Sequence, residues 1–290
     1  MVRHDVGMRI DLHTHSSVSD GTDTPTALVH KAHDIGLDVI ALTDHDTFDG
    51  VPEAVEAGKR LGVTVLRGVE MSCEVDGESV HLLGYGCDPQ DRALGEELAR
   101  IRAGRVGRLQ GFADRFTELG MPLTVADIKE QSGVSPSVGR PHVADALIKK
   151  GYVATRAEAF DKWLADDRPG YIGRYSTRLE LGIDLVHGAG GIAVLAHPWG
   201  RGSVHLLTAQ YIGGLVTEHG LEGIEVEHPD HDTETRSLLF EMGERLGLIR
   251  TGSSDYHGAG KEGVPLGGNL TRESAYREIL VRIKRRGGRV

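Results

Sequence analysis

His13 and His15 stand two residues apart at the end of a short apolar run, residues 8–12, and Asp20 follows five residues later. Side chains of a strand repeat every two residues, so both imidazoles face the same way. Two neutral imidazoles aimed at one point beside a carboxylate can begin a metal site, or can simply decorate a polar turn. The remaining polar clusters decide between these. His45 follows an apolar run at 39–42, Glu70 follows one at 64–69, His197 follows one at 192–196, and Asp255 and His257 follow one at 248–251. His81 lies on a run at 78–85, joined to residues 71–75 by Asp76-Gly77, a hairpin signal. Six of fifteen histidines thus gather at strand ends or on the adjoining hairpin, together with the carboxylates Asp20, Glu70 and Asp255. That exceeds the needs of one ion and predicts two or three divalent cations; with imidazoles and carboxylates mixed, Mn, Fe and Zn all suit the donor set.

Those residues need a scaffold that brings strand ends together. Helices are predicted at 25–35, with Thr24 as N-cap and Gly36 as stop, and at 51–61. Alternation with the strands gives a βα rhythm and a largely parallel sheet, whose C-terminal strand ends share one face. From 89 to 175 the rhythm stops. A long Arg-rich helix is predicted at 91–119, with shorter ones at 124–132, 141–150 and 155–164 and no convincing strand between them. The rhythm resumes with helices at 178–189, 203–219 and 233–246 and strands at 192–196, 224–227 and 248–251, and a helix at 272–285 follows. The expected organisation is a discontinuous α/β domain, 8–88 and 176–290, with 89–175 inserted as a small helical domain that caps the active site.

Composition narrows the class. The chain has 290 residues, 39% hydrophobic and 26% charged, enough for one large core or a core with an insertion. Its net charge of −10 argues against wrapping long nucleic acid by charge alone. Two cysteines, Cys73 and Cys87, lack a metal-binding spacing and read as buried thiols suited to a reducing compartment. No apolar run approaches a membrane span and no signal-like h-region opens the sequence, so a cytoplasmic protein without a membrane partner is expected. No protein partner is implied.

The segments DLHTHSSVSDG, ALTDHDTFDG, GVEMSCEVDGESVHLLGY, LAHP and GSSDYHG resemble the successive motifs of the PHP (polymerase and histidinol phosphatase) family of metal-dependent phosphoesterases. The resemblance spans essentially the whole chain. The nearest branch is similar to the stand-alone bacterial enzymes that act on nucleoside 3′,5′-bisphosphates and on 5′-ends of short oligonucleotides. It implies a distorted (β/α)7 barrel holding up to three ions. One would take His13, His15, Glu70 and Asp255; a second would share Glu70 and add His81 and His197; a third would take Asp20, His45 and His257. Where this chain has Asp20, several members carry histidine, and a carboxylate there shifts the third site towards harder ions. Glu70, Asp20 and His257 are the expected catalytic positions.

The expected substrate is a small phosphorylated compound, a nucleotide or short oligonucleotide. The best-supported reaction is hydrolysis of a nucleoside 3′,5′-bisphosphate to the 5′-monophosphate by metal-activated hydroxide. A 5′-3′ exonuclease on short RNA or DNA, a histidinol phosphate phosphatase and, outside enzymes, a metal-stabilised nucleotide-binding module are the alternatives. Substrate-holding candidates are Arg140, His142, Arg174 and His231. Arg140 and Pro141 open a helix whose N-terminus favours phosphate; the competing role is a helix-start arginine bonded to protein carbonyls. Arg174, with Tyr171, lies where the insertion rejoins the barrel, either in the pocket or on a solvated loop. Asp44 and Asp46 flank His45 as supports. Arg102, Arg105 and Arg108 recur every three residues and read as a solvated stripe, which a phosphate-rich substrate could also use. The basic residues from Arg282 to Arg289 read as favourable charge at a helix end.

Overall fold

The computed structural model describes residues 7–133, 135, 138–165 and 168–289. Its strands are β1 (Ile10–Thr14), β2 (Val39–Leu42), β3 (Thr64–Val75), β4 (Glu78–Tyr85), β5 (Thr177–Arg178), β6 (Ile192–Leu195), β7 (Gly223–Glu227) and β8 (Ile249–Gly252). Seven of them run in the order β1-β2-β3-β4-β6-β7-β8, while β5 pairs with the far part of β3. The two ends meet where Thr14 bridges Tyr256 in parallel and the His15 N–H donates to the Tyr256 carbonyl at 2.9 Å. The sheet is therefore a nearly closed seven-strand barrel, as expected. Its distortion is β4, which runs antiparallel to both neighbours while the other pairs on the path are parallel.

One departure concerns β3. The sequence reads as two strands separated by Glu70, but residues 64–75 form one strand, in which Glu70 pairs with Leu83. A charged residue ends a strand only when it must reach water; this one faces other polar side chains and stays in the ladder. The following Asp76-Gly77 turn has φ of +51° and +83°, the two positive values that a two-residue hairpin of this twist requires.

The helices are α1 (Pro25–Asp34), α2 (Val51–Leu61), α3 (Arg92–Gly107), α4 (Leu109–Glu118), α5 (Val125–Ser132), α6 (Arg140–Lys149), α7 (Arg156–Ala159), α8 (Leu179–Gly188), α9 (Ala209–His219), α10 (Thr233–Arg245) and α11 (Glu273–Arg286), with a π-helical turn, Phe160–Leu164, continuing α7. Thr24 caps α1 by accepting from the Ala27 N–H, as its position suggests. The expected helix at 91–119 is two helices, broken at Arg108, whose side chain turns inward. The start of α3 (Leu94, Leu98, Ile101) packs against α8 and shares one apolar cluster with residues of α9 and α10 on the outside of the barrel. By contrast, α4 to α7 build a separate apolar cluster around Phe112, Phe116, Ile128 and Leu147. Among the described residues no helix is long and apolar enough to cross a membrane.

Inside the barrel, Leu12, Ala41, Leu66, Leu83, Tyr85 and Val194 pack with Tyr276, Ile279 and Ile283 of α11. That helix closes the end away from the histidines. Gly86 makes the closure possible: its φ is +72°, and a Cβ there would lie 2.5 Å from Ile283 Cγ2. Gly86→Ala combines a left-handed backbone with overpacking and is expected to cost about 2–4 kcal/mol, read as a lower urea midpoint.

Candidate metal centre

The site is built at the C-terminal mouth of the barrel from residues that neighbouring strands deliver. His13 lies within β1 and His15 just beyond it; His45 follows β2, Glu70 and His81 face one another from β3 and β4, His197 follows β6, and Asp255 and His257 follow β8. Hydrogen bonds lock the loops that carry them. The buried Asp44 carboxylate accepts from Ser16 N–H at 2.8 Å and from the Ser16 and Ser19 hydroxyls at 2.6 Å each, which fixes the turn leading to Asp20. Asp11 accepts from the Ser254 N–H at 3.0 Å, its hydroxyl at 2.6 Å and the Gly267 N–H at 2.9 Å, tying β1 to the loop of Asp255. Burial outweighs those donors and pushes the Asp11 carboxyl up to about 6. Asp46, His197 and Asp255 all have positive φ (57°, 27° and 52°) without being glycine. Such conformations cost of order 1–3 kcal/mol each and persist where the surroundings over-determine them.

Glu70 is the hub. Its Oε1 lies 2.7 Å from His81 Nδ1 and 3.1 Å from His197 Nε2. Its Oε2 lies 3.3 Å from His13 Nε2, 3.1 Å from His15 Nε2 and 3.0 Å from His45 Nδ1. Asp255 Oδ1 closes one side, 3.5 Å from His13 Nε2 and 3.4 Å from His15 Nε2. A second grouping stands beside the first: Asp20 lies 3.4 Å from His257 Nε2, 3.6 Å from His45 Nε2 and 3.7 Å from His15 Nδ1. All nine sequence-predicted ligand positions thus converge on one continuous cluster. His15 and His45 each present one nitrogen to the Glu70 group and the other to Asp20, so neither belongs to one group alone.

The donor set fits divalent cations on hydrogen-bonding grounds. His13 Nδ1 faces Glu225 Oε1 at 3.2 Å; a carboxylate only accepts, so that nitrogen carries the proton and Nε2 presents its lone pair. That lone pair meets His15 Nε2 at 3.0 Å and oxygens of Glu70 and Asp255. Acceptors crowded on acceptors need positive charge between them. Without a cation, protons take that place: burial opposes charge on both rings, yet Glu225, Glu70 and Asp255 raise the His13 pKa well above the usual value, and Asp255 and Glu70 hold His15 up at about 10. Burial would raise Glu70 and Asp255, but the imidazoles, with Lys261 first at Asp255, lower both well below the usual range. Burial pushes His45 down to about 3 against the pull of Glu70 and Asp20, leaving a neutral imidazole suited to ligation. The buried Nδ1 atoms of His45 and His81 also lack any hydrogen-bond partner although Glu70 is adjacent.

Several participants escaped the sequence reading. Glu225 is wholly buried, accepts from the His197 N–H at 2.8 Å and from the Ser253 hydroxyl, and orients His13. Its signal was a charge inside the apolar strand 223–227, and Asp11 within β1 gave the same one. His228 is also fully buried, its ring 5.1 Å from that of His197 and its Nε2 3.5 Å from Asp255 Oδ2.

The arginines at 102, 105 and 108 are not a solvated stripe. Arg105 and Arg108 are buried, and Arg102 Nη1 donates to the Asp46 carbonyl at 2.5 Å. Arg105 donates to Asp46 Oδ2 at 2.8 Å and to the Ser72 hydroxyl at 2.6 Å. Arg108 donates to the Ile172 carbonyl at 3.0 Å, while its buried Nε has no partner. Arg174 donates to the Tyr175 carbonyl at 3.0 Å and the Ser176 hydroxyl at 2.9 Å, and Arg140 to the Leu164 carbonyl at 3.1 Å, with rings of Phe160 and Tyr171 below it. Arg140 therefore does bond a protein carbonyl. Burial, then repulsion from Arg105, pushes Arg174 down to about 9; burial and Arg174, Arg105 and Arg140 push Arg108 well below its usual value. The guanidinium groups of Arg105, Arg108, Arg140 and Arg174 thus lie close enough to repel one another. His142 Nδ1 accepts from the Gly139 N–H at 3.0 Å and so caps α6. His231 is buried, donates from Nδ1 to the Val226 carbonyl at 2.9 Å and leaves Nε2 without a partner.

Comparison with known proteins places this geometry. A PHP domain matches residues 11–128. A 3′,5′-nucleoside bisphosphate phosphatase of Chromobacterium violaceum is 33% identical over 264 residues, covering 89% of this chain and 90% of that protein. The 5′-3′ exoribonuclease Rnm of Escherichia coli is 34% identical over 254 residues, covering 85% and 84%. Among solved structures, a Bifidobacterium adolescentis protein assigned as a metal-dependent phosphoesterase superposes with a TM-score of 0.90 at 36% identity, covering 95% of this chain and 96% of that one.

Proposed function

The chain belongs to the PHP family of metal-dependent phosphoesterases, and from that premise we propose that it removes a phosphate from a small nucleotide bearing two phosphates, a nucleoside 3′,5′-bisphosphate releasing its 3′-phosphate. The observation that carries this reading is that a cluster calling for cations, which once loaded would receive a phosphate, adjoins a cluster of guanidinium groups suited to a second phosphate. One is the imidazole–carboxylate cluster around Glu70; the other is the guanidinium group of the buried Arg105 and Arg108 and the half-buried Arg140 and Arg174. Asp46, next to His45, accepts from Arg105, so the two regions adjoin. A scissile phosphate on the first and a second phosphate on the second accounts for both.

In this reading His13, His15, Glu70 and Asp255 hold one ion, Glu70, His81 and His197 a second, and Asp20, His45 and His257 a third, with His15 and His45 near enough to serve two groups. Glu70 suits a shared position because its two oxygens face different histidines. Such cations lower the pKa of water and neutralise phosphate oxygens at an in-line displacement. The protein's part is orientation: Glu225 holds the His13 tautomer, Asp44 fixes the Asp20 turn, and Arg105 fixes Asp46 beside His45. Residues 89–175 act as a cap that brings Arg140 and Arg174 over the mouth, and His231, buried below the rim, keeps one ring nitrogen without a protein partner. Glu70, Asp20 and His257 contribute most directly to turnover.

Similarity to the exoribonuclease keeps a second reading open, in which the guanidinium group receives the 5′-phosphate of a short oligonucleotide. A phosphate- and nucleotide-release screen over bisphosphates, mononucleotides, histidinol phosphate and short oligonucleotides with Mn separates them. Fastest phosphate release from a bisphosphate is expected; faster release of nucleotides from oligonucleotides would replace the proposal with the second reading. Arg174→Ala is expected to raise KM for the bisphosphate by about 10- to 100-fold, as for loss of a charged hydrogen bond, with a smaller change for a nucleoside 3′-monophosphate.

A further inference from the structure

The loop bearing Asp20 is gripped from outside the barrel. Arg156, the first residue of α7, donates from Nε to Asp145 Oδ1 at 2.7 Å and from Nη2 to Oδ2 at 2.5 Å. The fork so fixed turns Nη1 onto two backbone carbonyls, Asp20 at 3.2 Å and Gly260 at 3.5 Å. A Cβ at Gly260 would collide with that nitrogen, so the approach depends on glycine there. Gly260 lies three residues after His257, and the two loops are stitched to each other: Thr22 N–H donates to the His257 carbonyl at 3.1 Å and the Ala259 N–H to the Thr22 hydroxyl at 2.9 Å. The Ser135 hydroxyl adds a second hold, 2.9 Å from the carbonyls of both Val18 and Ser19. The loops of Asp20 and His257 are thus pinned by Arg156 and Ser135, residues outside the nine ligand positions.

We propose that Arg156 is a positioning residue for the Asp20–His45–His257 site, fixing the two loops that supply Asp20 and His257 and thereby coupling the third ion to the seating of α6 and α7. This rests on the reading that those three residues hold an ion. A carbonyl pinned at Asp20 itself restricts the orientation of its side chain, whereas the ligands around Glu70 are held by Asp11 and Glu225 and do not touch Arg156. By linkage the coupling runs both ways, so filling the third site also steadies α6 and α7.

Manganese titration by calorimetry on the full chain tests this, with Asp20→Ala as the reference that removes the site. In Arg156→Gln and Arg156→Lys the weakest ion is expected to lose about 10- to 100-fold in affinity, the range for partners that orient ligands, while the tighter ions bind as in wild type. Asp145→Asn, which frees the fork without removing it, is expected to shift the same ion in the same direction and carries the test should the Arg156 variants fail to fold. In wild type, saturating manganese is expected to slow amide exchange in 140–159, and Asp20→Ala to abolish that slowing. Wild-type titration of the Arg156 or Asp145 variants while Asp20→Ala loses an ion overturns the proposal; full recovery in Arg156→Lys does so too, since charge alone would suffice. Wild-type stoichiometry in Asp20→Ala instead removes the third site itself.

Discussion

Glu70→Gln is expected to reduce phosphate release by at least about 10³-fold and to lower the metal content of the purified protein. Loss of one preorganised oxyanion-hole donor costs 10²–10³-fold, and Glu70 does more than one such donor. Its two oxygens meet five imidazoles within 3.3 Å. The amide keeps the shape but replaces one oxygen by an NH2 that donates, so either the His81–His197 side or the His13–His15–His45 side loses an anionic acceptor. A carboxylate can lend one oxygen to each of two cations; an amide cannot. Phosphate release and elemental analysis on the same preparation, with circular dichroism matched to wild type, give the readout. Wild-type turnover in a metal-depleted Gln variant would contradict the role given to Glu70.

Arg105→Met is expected to cost about 3–5 kcal/mol of folding stability and to impair the site as well. Side-chain exposures of 7% for Arg105 and 0% for Asp46 make this a buried ion pair, and deleting one partner leaves the other charge uncompensated. Asp46 would keep only Ser72, whose N–H and hydroxyl lie 2.7 and 2.9 Å from its oxygens. It also sits at φ +57°, a conformation that its bonds sustain, directly after His45. Urea midpoints give the first effect and KM for the bisphosphate the second. Arg105→Met combined with Asp46→Asn is expected to recover part of the stability and none of the substrate affinity.

The barrel and the convergence of the candidate ligands were legible because each rests on a short-range pattern. Apolar runs ending in histidine or carboxylate mark C-terminal strand ends, and a parallel barrel brings such ends together whatever their separation in sequence. His13 and Asp255 meet across more than 240 residues for that reason. What a side chain does across elements was not legible. A three-residue repeat places Arg102, Arg105 and Arg108 on one helix side but says nothing of what covers it, and the cover is Asp46, Ser72 and Ile172. Glu225 sits in an apolar strand, where burial is evident but the partner, His13, is 212 residues away. Glu70 interrupted a strand in sequence but not in space, because its cost of burial is met by imidazoles on or just after four other strands. Arg156 carried no signal at all, since a helix-start arginine usually faces solvent.

The most direct test of a metal-dependent phosphoesterase acting on a two-phosphate nucleotide is phosphate release from a nucleoside 3′,5′-bisphosphate by protein stripped with a chelator and then titrated with Mn. The expected result is no release from the stripped protein and full recovery as two to three ions bind per chain. Release at the original rate from verified metal-free protein, or none from fully loaded protein, would contradict it.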